Sequence, residues 1–252
     1  LGVLTAPFAH QGFGHLIGNL IGFGVFGAIA EYGFGHFPTE RGSQAFGSWR
    51  TNPFVRALLV VPAAVVGVGL LTSLFAWGPI IGFSGVVFAA AGFALVQYPM
   101  ATIVALVGRE FVNTLYYTLQ DPIVYASAGP SYGPPWWSGI AIQGHLLGFL
   151  AGVALATLLV TTRGESRRPA PFRLWLGTII AGSSLTLWAL WWFEDASSYV
   201  LYRGPGLLLV LALGALIAMT VQASERPLVE GITRRQVGIA LLVLPVLTMG
   251  FV

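Results

Sequence analysis

The stretch that decides the fold is ALLVVPAAVVGVGLLTSLFAWGPIIGFSGVVFAAAGFALVQYPMATIVALVG, residues 57–108, in which no residue is charged. Soluble domains carry about 25% charged residues, whereas this chain of 252 residues carries 8%, together with 56% hydrophobic residues and a mean hydropathy of +0.81. The composition therefore predicts an integral membrane protein. The chain contains no cysteine, which excludes disulfide bonds and thiol chemistry.

Working outward from this stretch, eight apolar segments are candidate spans, because a helix needs roughly 20 apolar residues to cross the hydrocarbon core. Seven are clear, whereas the fourth carries Arg109 and Glu110 in its middle. We expect an all-α polytopic membrane bundle. Its candidate spans are residues 11–34, 57–77, 80–98, 100–119, 138–161, 174–193, 205–222 and 236–252.

Arginine alone sets the predicted orientation, because the chain contains no lysine. If all eight candidates span, three loops on one side carry ten arginines, the other side carries Arg203, and Arg109 stays unassigned. This asymmetry places the three loops in the cytoplasm and explains the net charge of +3 without a nucleic-acid partner. The ten are Arg41, Arg50, Arg56, Arg163, Arg167, Arg168, Arg173, Arg226, Arg234 and Arg235.

Aromatic residues mark the predicted outer surface. Tryptophan anchors helices at headgroup level, and six tryptophans fall near the predicted outer ends of the spans. The loop 120–138 has no basic residue and is rich in proline, glycine and aromatic residues, so we expect it to cover a site at the outer face. The six tryptophans are Trp77, Trp136, Trp137, Trp188, Trp191 and Trp192.

Polar and ionisable residues inside spans indicate function, because they are costly in the bilayer. His10, His15 and Asn19 come with the first helix, and the last two are four residues apart, on one helix face. Ser84 begins the third span, and His145 lies one to two turns into the fifth. These three helices run inward, so we expect the polar side chains at one shallow depth below the outer surface.

These residue types suit nucleophilic catalysis. A serine hydroxyl becomes a nucleophile when a base takes its proton, and a neutral histidine, with an unperturbed pKa of about 6.5, suits that task at neutral pH. His15 and Asn19 could donate hydrogen bonds to the tetrahedral intermediate, each worth about 3 kcal/mol. No carboxylate falls at this depth on a clear span, so we predict a Ser–His dyad and no triad.

Each residue alone has a simpler interpretation. A serine between glycines is usually a packing residue, and a lone histidine or asparagine commonly joins helices by a hydrogen bond. Their convergence favours function. Gly82 and Gly85 beside the serine let other backbones approach closely, and Gly148 and Gly152 form a small-xxx-small face that would bring the histidine within reach.

Three motifs resemble those of the rhomboid family of intramembrane serine proteases. They are HQGFGHLIGNL at residues 10–20, GFSG at residues 82–85 and GHLLGFLAG at residues 144–152. Their order and spacing agree with the family over about residues 5–160, and Glu31 also fits its pattern. Three motifs in register are far more specific than a GxSG sequence alone.

The resemblance implies a role for each matching residue. Ser84 would be the nucleophile, His145 the base, and His15 and Asn19 would help form the oxyanion hole, without a metal or a cofactor. The resemblance also implies supporting roles for the glycines near the serine and the histidine and for a further histidine near the site. Phe88 occupies the position at which many family members have a tyrosine stacked on the catalytic histidine. These supporting residues are His10, Gly82, Gly85, Phe88, Gly148 and Gly152.

The chain also departs from the family. Rhomboids carry a helix and a long outer loop before the first motif, whereas this chain begins with Leu1 and runs straight into an apolar stretch, so we take it to be a fragment. We predict a rhomboid-like catalytic core without the first family helix at residues 1–162. Residues 163–252 would form about three additional spans, whose role the sequence does not indicate.

The predicted function is hydrolysis of peptide bonds in or near the membrane segments of single-span proteins, within the lipid bilayer and near the extracytoplasmic face of the cell membrane. The alternative is a rhomboid-like protein that binds or chaperones transmembrane helices without catalysis, although such proteins typically lack the serine or the histidine. A zinc protease would need HExxH, and a transporter would show paired halves with polar sites at the midplane; neither pattern is present.

Overall fold

The computed structural model describes residues 2–35, 52–75, 80–123, 139–162, 168–184, 191–193, 199–223, 227–229 and 231–248. This part of the chain is a bundle of α-helices. In chain order they are α1 (Gly2–Thr5), α2 (Phe13–Gly35), α3 (Pro53–Val55), α4 (Val61–Phe75), α5 (Ser84–Gln97), α6 (Pro99–Gln120), α7 (Ile142–Thr162), α8 (Pro171–Ser184), α9 (Arg203–Gln222) and α10 (Arg234–Thr248).

Short elements connect or extend these helices. A 3-10 turn at Ala6–Phe8 follows α1, and a π-helical stretch at Arg56–Val60 joins α3 to α4 into one span. Two antiparallel hairpins complete the described part of the chain. They pair β1 (Trp191–Phe193) with β2 (Tyr199–Leu201), and β3 (Pro227–Val229) with β4 (Ile232–Thr233).

Four helices in the described ranges are long and apolar enough to cross a membrane, and α5 is a shorter apolar helix of 14 residues. The chain is therefore a multi-pass integral membrane protein, and the predicted all-α bundle is confirmed. The four helices are Phe13–Gly35, Pro53–Phe75, Ile142–Thr162 and Arg203–Gln222.

One predicted span is wrong at its end. The segment 174–193 was expected to be helical throughout, but α8 ends at Ser184, and residues 191–193 form a strand that pairs with Tyr199–Leu201. Apolarity alone does not separate a helix from a strand, and the aromatic run WWF has a high strand propensity that an antiparallel partner satisfies.

Prolines and a capping side chain set where several helices begin. The Asn52 side chain accepts a hydrogen bond of 2.9 Å from the Phe54 amide, and Pro53 occupies the first helical turn, where its missing N–H is not needed. Pro99 likewise begins α6 directly after Tyr98, where α5 ends. The chain therefore reverses direction between α5 and α6 within one residue.

Helix α5 is the centre of the bundle. It contacts α2, α4, α6, α7 and α8, and most of its side chains are buried. Leu95 and Val96 are fully covered, as are Phe26 of α2 and Phe149 of α7. The outer helices instead expose large apolar side chains, as expected for surfaces that face lipid.

Helices α5 and α7 approach until backbone meets backbone. A Cβ at Gly148 would collide with the carbonyl of Gly85, and a Cβ at Gly152 would collide with the carbonyl of Ala89. From the other side, a Cβ at Gly92 would collide with the carbonyl of Phe149. The predicted small-xxx-small face is thus the place of closest contact in the described part of the bundle.

Three described arginines, Arg56, Arg168 and Arg235, lie at the end of the bundle where α2, α7 and α9 finish. Arg56 forms an ion pair of 3.3 Å with Glu31, near the end of α2. Arg168 donates to the carbonyl of Ala223 at 3.1 Å, and Arg235 donates to Thr161 Oγ1 at 2.8 Å and to the same Ala223 carbonyl. These cations complement the carboxyl ends of the helices.

The shared position of Arg56, Arg168 and Arg235 agrees with the prediction that the three arginine-rich loops lie on one side of the membrane. Trp191 and Trp192 of the predicted aromatic belt are in β1. Residues 124–138 of the predicted outer loop lie outside the described ranges, and so do several of the arginines and tryptophans used to predict the orientation. The residues outside are Arg41, Arg50, Arg163, Arg167, Arg226, Trp77, Trp136, Trp137 and Trp188.

The C-terminal helices pack against the rest of the bundle. Helix α8 lies between α9 and α6, and Gly177 of α8 faces Leu95 of α5 and Ile103 of α6. Leu174 of α8 and Ile217 of α9 are fully covered. Helices α5 to α9 therefore share one continuous apolar core.

We predict that Gly152→Ala destabilises the protein by about 1–3 kcal/mol, because the added methyl group forces α5 and α7 apart. Gly67→Ala is the matched control, since Gly67 is also helical and a Cβ there meets nothing within 4 Å. Thermal unfolding in detergent should show a lower Tm for the first variant alone. Equal Tm values would contradict the backbone contact.

Candidate active site

Ser84 is the first residue of α5 and follows a tight turn. Gly82 has φ +124°, a left-handed conformation that only glycine adopts readily, and its amide donates to the carbonyl of Ala6 at 3.0 Å. A Cβ at this position would also lie 2.7 Å from Cε1 of His15. Backbone and neighbour both require glycine here, and the turn presents Ser84 at the open end of the bundle.

His145 lies in the first turn of α7, directly opposite the serine. Its Nε2 is 2.8 Å from Oγ of Ser84. When Nε2 carries no proton, the serine hydroxyl donates this hydrogen bond to it, which is the arrangement a general base needs. Two residues that are 61 positions apart in the chain are therefore paired across the α5–α7 contact.

Phe88 fixes the plane of the histidine ring. It lies one turn after Ser84, and its ring stacks on the imidazole with centroids 4.2 Å apart and an interplanar angle of 14°. Nδ1 of His145 is buried and has no hydrogen-bond partner among the described residues. In the described ranges, an aromatic face therefore orients the ring where a triad would use a carboxylate.

His15 and Asn19 reach the same place from α2. The Asn19 side chain is buried, with 8% of the residue exposed, and its Nδ2 makes no hydrogen bond within the described part of the chain. Nδ1 of His15 is likewise buried without a partner there. The Asn19 amide nitrogen is an N–H donor, and Nδ1 of His15 is one when it carries the ring proton, so the site holds donor capacity that the described fold does not use.

His10 supports His15 from the side. Its Nδ1 is 3.1 Å from the carbonyl oxygen of Phe8, and its ring meets that of His15 edge-on, with centroids 5.3 Å apart. His10 does not line the cavity beside the serine. The supporting position predicted for it is therefore consistent with its contacts.

A cavity of about 260 Å³ joins these groups. It brings together five predicted site residues, while the four predicted glycines form the turn and the helix contact around it. The lining residues are His15, Gly18, Asn19, Phe26, Ser84, Val87, Phe88, Ala91, Arg109, Ile140, His145 and Ser184.

Sequence reasoning missed the two polar residues among the other lining residues, Arg109 and Ser184. The charge of Arg109 in the middle of a candidate span was a signal, but the sequence alone did not show that its side chain lines the cavity. Ser184, at the end of α8, gave no signal. It shows that the helices after residue 162 reach the cavity.

The arrangement combines a serine, a base and spare N–H donors on three helices, which is what acyl transfer to a serine requires. Among the described residues, no group of three or more histidine, cysteine, aspartate or glutamate side chains could hold a metal ion.

Comparison with known proteins bears on the first two thirds of the chain. A family model described as the rhomboid domain matches residues 1–162. Searches among curated proteins and among solved structures found no significant match.

We predict that Gly82→Ala lowers the rate at which a fluorophosphonate labels Ser84 by at least about 10-fold, because a side chain at this φ strains the turn and displaces His15. Gly14→Ala is the control, since a Cβ at this residue near the start of α2 meets nothing within 4 Å. Labelling is measured by gel fluorescence at several times. Equal rates in both variants would show that the turn does not position the serine.

Proposed function

Since the chain belongs to the rhomboid family, we propose that it is an intramembrane serine endopeptidase that uses Ser84 and His145 as a catalytic dyad. The observation that carries this proposal is the 2.8 Å hydrogen bond between the two side chains, inside a cavity that His15 and Asn19 also line with side-chain nitrogens that have no partner among the described residues. A packing serine would not need a partly buried base beside it.

The proposed reaction proceeds in two halves. Oγ of Ser84 attacks the carbonyl carbon of the scissile peptide bond as its proton passes to Nε2 of His145. The tetrahedral intermediate carries a negative oxygen, which accepts hydrogen bonds from Asn19 and His15. When the C–N bond breaks, His145 gives its proton to the leaving amine, and the chain keeps an ester at Ser84.

Water completes the reaction. His145, again neutral, takes a proton from a water molecule that attacks the ester carbonyl, and the same donors stabilise the second intermediate. His145 then returns the proton to Oγ as the ester bond breaks. The position of the cavity at one end of the bundle supports this step, because the site needs water that the bilayer core does not supply.

Substrates are proposed to be single-span membrane proteins, reaching the cavity from the lipid past α6. The inner half of this helix is packed, with Thr102, Ile103 and Leu106 buried, whereas Phe111 and Leu119 in its outer half are exposed. An incoming chain could therefore pass the outer half of α6 without breaking the core.

We also propose that the site faces outward from the cell membrane. The described arginines near the other end of the bundle support this orientation, because positively charged loops stay in the cytoplasm.

We predict that Ser84→Ala and His145→Ala each abolish cleavage of a single-span reporter, and that the double variant is no worse, because the pair acts as one unit. Asn19→Ala should lower kcat by about 10²–10³ through loss of an oxyanion donor. Cleavage is followed by gel electrophoresis with purified protein, and Tm serves as the folding control.

Two results would reject this assignment. If a fluorophosphonate does not label the protein, or labels Ser84→Ala equally, the alternative of a rhomboid-like helix binder without catalysis is favoured. If Asn19→Ala lowers Tm but leaves the specific activity of the folded fraction unchanged, Asn19 only joins helices.

We predict that replacing glycine or proline by leucine in the outer third of a substrate's span strongly reduces cleavage. A transmembrane helix keeps its backbone hydrogen-bonded, so the scissile bond is shielded until the helix unwinds beside Ser84. The same replacements in the inner third are the matched control. If the stiffened substrates are cleaved at unchanged rates, local unwinding is not part of the mechanism.

A further inference from the structure

Arg109 is the unexplained feature of the cavity. It is the single lining residue, among those described, that carries a fixed charge, and it lies in the middle of α6 within an apolar bundle. Its side chain is exposed and not packed into the core. An arginine at membrane depth is costly unless it has a partner or water, and this cost marks such residues as functional.

The described part of the chain supplies no partner for it. Arg109 takes part in no hydrogen bond or ion pair with the described residues. Glu110 is adjacent in the helix and so does not face it. The guanidinium is therefore available to an anion that enters the cavity.

The depth of Arg109 identifies which part of a substrate it would meet. Counted from Tyr98, Ser84 lies 14 residues along α5 and Arg109 lies 11 residues along α6. At a rise of 1.5 Å per residue, Arg109 is about 5 Å deeper in the bundle than Ser84. Because helical side chains lean toward the N-terminus, its guanidinium points deeper still.

We propose that Arg109 is a specificity residue that binds an aspartate or glutamate in the membrane segment of the substrate. This inference rests on the proposed proteolytic function. An extended strand advances about 3.3 Å per residue, so the carboxylate would lie two or three residues from the scissile bond, on the side that enters the bundle. For a substrate whose N-terminus is outside, this is the C-terminal side.

The chemistry favours a carboxylate. A guanidinium binds one through two parallel hydrogen bonds, and an acidic residue inside a span is itself costly in lipid. When the substrate binds, an ion pair in the cavity would offset the free-energy costs of both the unpaired guanidinium and the unpaired carboxylate. A lipid phosphate could offer the same geometry, but the position of Arg109 below Ser84 places it away from the headgroup level.

The test uses single-span reporters that are identical except for Glu or Gln, placed one to four residues inward from the scissile bond. The purified full chain should prefer Glu at least about 10-fold in kcat/KM at the second or third position. Arg109→Gln should cleave the two reporters equally, and Arg109→Glu should prefer Lys over Glu there. Glu110→Gln, one residue along the same helix, should keep the preference for Glu.

The outcomes separate this inference from the function on which it rests. Equal cleavage of Glu and Gln reporters at every position by the unmodified chain overturns the role of Arg109, while loss of that cleavage in Ser84→Ala upholds the protease. If no reporter is cleaved in a Ser84-dependent way, both proposals fail. If Arg109→Gln slows both reporters equally, and only with anionic lipid present, the guanidinium binds a headgroup and the inference is rejected.

Discussion

The backbone contact between α5 and α7 is the constraint on which the rest of the site depends. Ser84 and His145 stand in the first turns of two parallel helices and are joined by a hydrogen bond of 2.8 Å, and these helices approach so closely that their backbones are in contact. Gly148 and Gly152 allow this close approach because neither has a side chain that would collide with the facing carbonyl groups of α5. In lipid, where no hydrophobic effect drives helices together, such close packing is itself the main attraction.

The two ends of the bundle carry different polar chemistry for the same physical reason. At one end, arginines satisfy helix carbonyls and Glu31, so their charges are used within the described fold. At the other end, imidazole and amide groups lack partners in the described ranges. An unpaired neutral group near the surface costs less free energy than an unpaired buried charge, and Arg109, the one fixed charge among the described lining residues of the cavity, is exposed rather than buried. The cavity end is therefore the end at which a reacting group meets unpartnered imidazole and amide groups.

Much of this site could be predicted from the sequence, because its members lie near the starts of helices that run the same way. The positions of Ser84, His145 and Asn19 in their motifs were enough to bring them to one level. The strand at Trp191–Phe193 could not be predicted, since a short aromatic run suits a span and a strand equally. The position of Arg109 in the cavity lining could not be predicted either, because it depends on how α6 packs beside α5 and α8, which no motif in the sequence specifies.

The helices beyond residue 162 lie outside the three sequence motifs, yet one of them, α8, contributes to the cavity. Helix α8 packs along α6 through Gly177 and Ile103, and it ends at Ser184 in the lining of the cavity. Among the described side chains of α6, the last buried one is Leu106, and Arg109 comes one turn later. Packing by α8 thus divides α6 into an anchored inner half and an exposed outer half. Since Arg109 stands at that division and Ser184 beside the same cavity, the additional helices help to shape the space that a substrate would fill.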